Sequence, residues 1–208
     1  DSAENEAQRV IDIVESRRHA IGLNDMVILY RTNAQSRTFE EKLRRRNLPY
    51  QIIGGLAFYQ RKEIKDLMAY LKLIANPKDD VSFGRIVNYP RRGIGAKTLE
   101  TIALLARENS SSYYQIAASA GAYPELSGKE KRLKPFTDLI KRFIERRDSE
   151  PIDLLTQDLV EDLGLLQQLV AEDPATGQTK VENIEAFIEG TAEFARANTQ
   201  AHLTDYLA

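Results

Sequence analysis

Apolar side chains recur at three- and four-residue spacing along most of this chain, and this period constrains the fold more than any other feature. Ile64, Leu67 and Leu71 form one such stripe, which Asn76-Pro77 closes. The chain is therefore predicted to be mainly α. The spacing predicts helices over residues 4–19, 34–46, 61–75, 96–108, 112–118, 133–147, 152–163, 165–172, 180–196 and from 201 onward, with one more between Asp79 and Pro90.

Two short apolar runs near the N-terminus depart from the helical period. Met26 to Tyr30 reads MVILY, a continuous run of strand length of the kind that is buried on both faces of a parallel sheet. Tyr50 to Ile53 has the length and composition of a second strand, and the intervening helix would complete one βαβ unit. A parallel sheet needs more than two strands. The sequence therefore predicts a small, incomplete parallel α/β portion followed by a larger all-helical domain.

One short loop combines glycines with the start of a helix. Residues 90–100 read PRRGIGAKTLE, in which Gly93 and Gly95 flank Ile94 and the helical period begins at Ala96. Glycine permits positive φ angles and a close approach of the backbone to a ligand. The amides of residues 93–97 are expected to lie unpaired at a helix N-terminus, where the helix dipole favours an anion. The loop is therefore a candidate phosphate site.

Charged side chains surround this loop and favour a nucleic-acid backbone as its ligand. Arg91, Arg92 and Lys97 supply positive charge, and Thr98 adds a hydroxyl in the first helical turn. A plain turn between two helices is the alternative interpretation of the same Gly-x-Gly pattern. The loop is not an ATP-binding Walker A loop, because G-x-x-x-x-G-K-[ST] occurs nowhere in the chain.

A second polar segment, RTNAQSR at residues 31–37, follows the first predicted strand directly. Ligands of open α/β sheets bind at the carboxyl ends of strands, which is where Arg31, Thr32 and Asn33 would lie. Gln35 offers an amide that both donates and accepts, and Arg37 lies one turn further along the helix. A helix cap and a solvated helix face would also explain Thr32, Asn33 and Arg37.

Composition limits the kinds of site that this chain can build. The 208 residues include no Cys and two His, which disfavours disulfides and metal centres built on thiolates or imidazoles and is compatible with the cytoplasm. No run of 18 apolar residues predicts a membrane span. The net charge of −2 hides a segregation, because Lys180 and Arg196 are the only Lys or Arg residues from Asp148 onward. A nucleic-acid surface is therefore expected in the first two thirds of the chain.

Four blocks of the sequence, in this order and spacing, resemble the superfamily 1 DNA helicases of the UvrD, PcrA and Rep type. They are MVILYRTNAQSR, PYQIIGGLAFYQRKEIKDLMAYLKLIANPKDD, RIVNYPRRGIGAKTLE and KVENIEAF. The resemblance is clear from Met26 to Arg107 and weaker through the acidic third. It implies that residues 1–65 are the first part of the RecA-like motor domain called 2A. Residues 66–208 would be most of the helical insertion called 2B, truncated at its C-terminal end.

The resemblance also implies roles for particular residues. Arg31, Thr32, Asn33, Gln35 and Arg37 would contact single-stranded DNA. The loop of Arg91, Arg92, Gly93, Ile94, Gly95, Lys97 and Thr98 would belong to a helix-hairpin-helix-like element that grips the duplex. Arg61 and Lys62 would contact the DNA backbone, and Gly54 and Gly55 would form a hinge about which 2B swivels to regulate unwinding.

The ATP-binding motifs of the family have no counterpart in this sequence. The resemblance implies ATP-driven 3′ to 5′ unwinding, with ATP and Mg²⁺ as cofactors, for a complete helicase. This chain is expected to hold neither cofactor, to have no ATPase activity and to have DNA as its partner. Two alternatives remain open, a stand-alone duplex-binding module and a helical interaction scaffold in which RGIG is only a turn.

Overall fold

The chain forms a helical bundle, known here from a computed structural model that describes residues 3–53, 55–198 and 202–207. The prediction of a mainly α chain is confirmed, and most helices begin and end within three residues of their predicted bounds. The helices within the described residues are α1 (Ala3–Arg17), α2 (Ser36–Arg45), α3 (Lys62–Ala75), α4 (Asp80–Ile86), α5 (Ala96–Glu108), α6 (Tyr113–Ala118), α7 (Glu130–Arg146), α8 (Ile152–Asp162), α9 (Leu165–Glu172), α10 (Gly177–Ala197) and α11 (Leu203–Leu207).

The predicted parallel α/β portion is not formed, because the described residues contain no β-strand. Residues 26–30 and 50–53 form no regular secondary structure and have no sheet partner. The side chains of residues 26–30 alternate, so that Ile28 packs inward whereas Val27 and Leu29 are 71% and 89% exposed. The prediction that this run is buried on both faces is therefore wrong. A strand exists only through hydrogen bonds to a neighbouring strand, and an apolar run cannot supply that neighbour.

Helix α3 lies at the centre of the main hydrophobic core. Its residues Ile64, Leu67, Leu71 and Ile74 are fully buried, as the sequence period predicts. The helix contacts α4, α7, α10 and α11, so one continuous core runs from Phe58 into the C-terminal helices. The loop between α4 and α5 is thereby fixed to a well-packed bundle.

A second, smaller hydrophobic cluster joins α1 to α2. Ile11 of α1 meets Leu43 of α2 and Leu48, with Ile28 and Tyr50 packed against them. The predicted division at residues 65 and 66 stays a prediction. Among the described residues, no helix is long and apolar enough to cross a membrane.

Candidate nucleic-acid interface

Helices α4 and α5 form a hairpin, and residues 87–95 between them are the glycine loop predicted to bind phosphate. Asp79 caps α4 by accepting a hydrogen bond of 2.9 Å from the amide of Ser82. Ile94, inside the loop, is 4% exposed and belongs to the main core. The loop therefore enters α5 from a fixed point on the bundle.

The side chain of Asn88 sets the shape of the loop. Its Oδ1 atom accepts hydrogen bonds from the amides of Arg92 and Ile94, each at 3.0 Å. One side-chain oxygen thus ties the end of α4 to the residues that carry the glycines. This role of Asn88 could not be predicted from the sequence, because an Asn after a helix is common in any turn.

The two glycines of the loop have different backbone conformations. Gly93 has φ +71°, as predicted, and a residue with a Cβ would be strained there. Gly95 is the N-cap of α5 with φ −91° and ψ 173°, an ordinary extended conformation. The expectation of a positive φ at Gly95 is therefore wrong. What Gly95 does provide is space, since a Cβ built on it would meet nothing within 4 Å.

The first turn of α5 presents backbone amides to solvent. The amides of Gly95, Ala96 and Lys97 have no hydrogen-bond acceptor among the described residues, and all three residues are exposed. The prediction of unpaired amides from 93 to 97 is wrong for Ile94, which donates to Asn88. Three neighbouring amides at a helix N-terminus can receive an anionic oxygen.

Thr98 lies at the inner edge of this turn. It is 9% exposed, and its amide donates to the carbonyl of Gly95 at 3.0 Å. Thr98 thus closes the first turn of α5, and its side chain is directed into the bundle rather than towards a ligand in solvent.

The cations of the loop divide into an outer and an inner group. Arg91 and Lys97 are exposed. The guanidinium of Arg92 turns inward, where Nη1 donates to the carbonyls of Ile86, Val87 and Pro90 at 3.1 to 3.4 Å. Its Nη2 donates to the hydroxyl of Tyr70 at 2.8 Å, and its Cζ lies 5.0 Å from the ring centroid of Phe136. Arg92 therefore shapes the loop.

Two further basic side chains lie beside the loop. Arg132 of α7 donates from Nη1 to the carbonyl of Gly93 at 3.0 Å. Lys62, at the start of α3, is 69% exposed, and its Nζ lies 3.2 Å from Oδ2 of Asp66 and 4.3 Å from the ring centroid of Tyr89 in the loop. Lys62 is thus brought to the predicted duplex site. The contact of Arg132 joins residues 39 positions apart, so no local pattern could have found it.

Arg61, which was predicted to contact DNA backbone, is a buried structural residue. It is 8% exposed, and its Nη1 donates to Oδ1 of Asn183 at 2.8 Å while Nη2 donates to Oγ of Ser36 at 2.9 Å. Asn183 in turn donates to Oε1 of Glu63 at 2.7 Å. Burial lowers the pKa of Arg61 from its ordinary value. This network ties α10 to the starts of α2 and α3.

The polar segment 31–35 is exposed over most of its length. Arg31, Thr32, Asn33 and Gln35 are all exposed. The Oε1 atom of Gln35 accepts from the amides of Arg31 at 2.8 Å and Thr32 at 3.1 Å, which closes the turn into α2. The side chains of Arg31 and Asn33 are therefore displayed on a fixed turn. Since no strand precedes them, the turn itself holds them in position.

Arg37 is separated from the rest of the segment by burial. It is 4% exposed, and it donates to Glu41 of α2 at 3.0 Å and to Glu193 of α10 at 2.9 Å. Burial acts to lower the pKa of Arg37, but the two carboxylates outweigh it and raise the pKa above its ordinary value. Gly190 faces the guanidinium, which fills the place of a side chain on that residue. The described structure therefore uses Arg37 to join α2 to α10.

The predicted hinge is described only in part. Gly54 lies outside the described residues. Gly55 is exposed, and a Cβ built on it would meet nothing within 4 Å. The hinge therefore stays a prediction.

Comparison with known proteins gives one family and several relatives. The family described as UvrD-like helicase C-terminal domain matches residues 1–208. The ATP-dependent DNA helicase PcrA of Bacillus subtilis is 40% identical over 185 residues, which cover 89% of this chain and 25% of that protein. DNA helicase II of Escherichia coli is 36% identical over 193 residues, which cover 92% of this chain and 27% of that protein. The chain thus spans about a quarter of the length of these relatives.

Proposed function

The chain belongs to the UvrD-like helicase C-terminal domain family, and from this membership we propose that it is the DNA-binding part of a longer ATP-dependent 3′ to 5′ DNA helicase. The exposed amides of Gly95, Ala96 and Lys97 carry the proposal, because they form an anion site beside the outer cations Arg91 and Lys97. The ligand of this site is the phosphate backbone of duplex DNA.

The site suits a backbone rather than a base. Amides and cations at a helix N-terminus recognise phosphate oxygens, which have the same chemistry at every position of the duplex. Binding is therefore expected to be independent of sequence and to weaken steeply as salt is added. Because the guanidinium of Arg92 is directed inward, the proposed phosphate contacts within the hairpin come from Arg91, Lys97 and the amides. Lys62 of α3 adds a further cation beside the loop.

Single-stranded DNA is the proposed ligand of the exposed turn at residues 31–35. Arg31 supplies a cation, and Thr32, Asn33 and Gln35 supply polar side chains at its surface. Arg37 has a smaller part in this proposal than the resemblance implies, since both of its terminal nitrogens already hold carboxylates.

The proposed domains follow the family. Residues 1–65 would be part of motor domain 2A and residues 66–208 most of insertion 2B, with the hinge near Gly55. The ion pair of Arg37 with Glu193 and the bond of Arg61 to Asn183 join α10 to the N-terminal segment. If 2B rotates relative to the N-terminal segment, there are therefore two possibilities. Either α10 stays packed against α2 while the rest of 2B moves, or α10 moves too and both contacts break. ATP and Mg²⁺ would be held by other parts of the full-length helicase.

The proposal is tested by fluorescence anisotropy with a labelled duplex of about 20 base pairs and a matching single strand, across a salt series. The expected result is binding of both, with similar affinity for unrelated sequences and a steep decline with salt. A helical interaction scaffold would bind neither. Arg91→Ala is expected to weaken duplex binding alone and Arg31→Ala single-strand binding alone, so the two sites are separated in one experiment.

A further inference from the structure

Arg132 lies outside the α4–α5 hairpin but reaches the glycine loop from α7. Its Nη1 donates to the carbonyl of Gly93 at 3.0 Å. A Cβ built on Gly93 would lie 3.5 Å from Nη1 and 3.7 Å from both Cδ and Cζ of Arg132. The long side chain therefore lies along the face of Gly93 where other residues carry a side chain.

We propose that Arg132 is a phosphate-binding residue of the duplex site, supplied by α7 to complete the grip of the α4–α5 hairpin. This inference rests on the proposed function of the glycine loop. One terminal nitrogen of the guanidinium holds the carbonyl of Gly93, and the rest of the fork stays available because Arg132 is exposed. A planar fork with five donors can hold a backbone carbonyl and a phosphate at once.

The position of Arg132 relative to the amides supports a shared ligand. Gly93 and Gly95 are two residues apart, so their Cα atoms are at most about 7.6 Å apart. The guanidinium therefore contacts the loop two residues before Gly95, where the unpaired amides begin. Because the guanidinium of Arg92 is directed inward, its charge is not presented at the surface of the loop. Arg132 supplies a positive charge at that surface from α7.

The anchoring to a carbonyl distinguishes Arg132 from an ordinary surface cation. A fixed guanidinium loses less freedom when it binds phosphate than a mobile side chain does. The neighbouring cation Lys134 on the same helix is held instead by Asp138, with Nζ 2.9 Å from Oδ2. Two residues along an α-helix point about 200° apart, so Lys134 is directed away from the direction that Arg132 takes.

Arg132→Gln is the test, with Lys134→Gln as the matched control that removes the same charge from the same helix. For Arg132→Gln we expect duplex affinity to fall by about tenfold at low salt. The slope of log affinity against log salt should become shallower by about one unit. Single-strand affinity should not change. Lys134→Gln should leave the slope as it is in the unchanged chain. Arg132→Lys should retain the slope, because the charge remains, while losing part of the affinity with the fork.

The possible failures are distinguishable. If the unchanged chain does not bind duplex, the proposed function fails and this inference fails with it. If Lys97→Gln makes the slope shallower but Arg132→Gln does not, the loop binds duplex and Arg132 is only a brace for Gly93. Circular dichroism of each variant ensures that a folded protein is compared. An equal loss of affinity for duplex and single strand in Arg132→Gln would also overturn the inference.

Discussion

The missing side chain of Gly190 leaves a notch in α10, and the guanidinium of Arg37 fills it. A Cβ built on Gly190 would lie 2.6 Å from Nη1 and 3.1 Å from Cζ of Arg37. The two residues lie on α10 and α2, and the notch lets the guanidinium pass between these helices to Glu193. Glycine is unfavourable in the middle of a helix, so its presence in α10 needs another explanation. Here the explanation is the volume of the Arg37 side chain, which occupies the place of a side chain on residue 190.

Gly190→Ala is expected to destabilise the chain by about 1 to 3 kcal/mol, because the added methyl group must displace a buried and ion-paired guanidinium. Urea unfolding followed by circular dichroism measures the change. The matched control is Gly84→Ala in α4, where the new Cβ would lie 3.7 Å from Leu99 Cδ2, an ordinary contact. That control should stabilise the chain by roughly 0.5 to 1 kcal/mol through helix propensity. Equal changes in the free energy of unfolding in the two variants would contradict the conclusion that Gly190 makes room for Arg37.

Arg92→Ala is expected to cost about 2 to 3 kcal/mol of unfolding free energy, because several hydrogen bonds from a charged donor are lost in a partly buried site. Duplex affinity should fall with it, since the loop loses its shape. Arg91→Ala should behave differently, with unchanged stability and a salt slope shallower by about one unit. The two variants remove the same charge from adjacent residues. If both changed only the slope, the guanidinium of Arg92 would be a phosphate contact after all.

Gly95→Val is expected to weaken duplex binding by covering the amides of the first turn of α5. Its φ of −91° suits any residue, so the loss of stability should stay within about 1 kcal/mol, the usual cost of a poor N-cap. Gly93→Ala provides the comparison, because its φ of +71° should make this small change cost about 1 to 2 kcal/mol. Anisotropy and urea unfolding of both variants test this. Unaltered duplex affinity in folded Gly95→Val would reduce the loop to a structural turn.

Stability is expected to fall at alkaline pH because of buried tyrosines. Burial raises the pKa of Tyr70 to about 12, against an ordinary value of 10.0, and the nearby Arg92 opposes only part of that rise. Since the folded-state pKa is the higher one, this stability is complete below pH 10 and is lost as pH rises towards 12. Urea midpoints at about pH 9 and about pH 11 measure the loss. Tyr70→Phe should reduce the difference between them, and an unchanged difference would exclude Tyr70 as a source.

The isolated chain is expected to hydrolyse no ATP, with or without DNA. No phosphate-binding loop with G-x-x-x-x-G-K-[ST] occurs in the sequence, so nothing of that kind is present to hold the triphosphate. A coupled assay for ADP release at saturating single-stranded DNA tests this. Turnover that disappears on changing one residue of this chain would contradict the prediction, whereas turnover that persists in every variant would indicate a contaminating ATPase.

The sequence predicted those parts of the fold that depend on local signals. Asn76-Pro77 closes α3 as expected, and α4 lies between Asp79 and Pro90 as expected, because a helix cap or a proline acts on its own turn. The prediction of a strand at residues 26–30 is wrong, because a strand forms only when a neighbouring strand is present to accept and donate its hydrogen bonds. An apolar run alone therefore cannot distinguish a strand from an irregular segment that packs only some of its side chains.

The candidate site was predicted in composition but only partly in geometry. The glycine loop, its exposed amides and two of its cations were recognisable from residues 91–97. The inward direction of Arg92 and the burial of Arg37 and Arg61 were not. Arg37 contacts Glu193 across 156 positions of the sequence, and Arg61 contacts Asn183 across 122 positions. Without knowledge of such distant partners, an arginine at or near a helix is predicted to be exposed to solvent.

The two hydrogen bonds that Asn88 accepts affect both the rate at which the loop binds a ligand and its affinity for that ligand. Because this side chain orders the loop as the hairpin folds, little conformational entropy remains to be lost when a ligand arrives. Capture then requires no rearrangement, so the rate of association is set by diffusion and electrostatic attraction. Affinity in turn depends on the fraction of molecules that hold this geometry. A change that frays the end of α4 would therefore weaken the grip on a ligand without touching any group that contacts it.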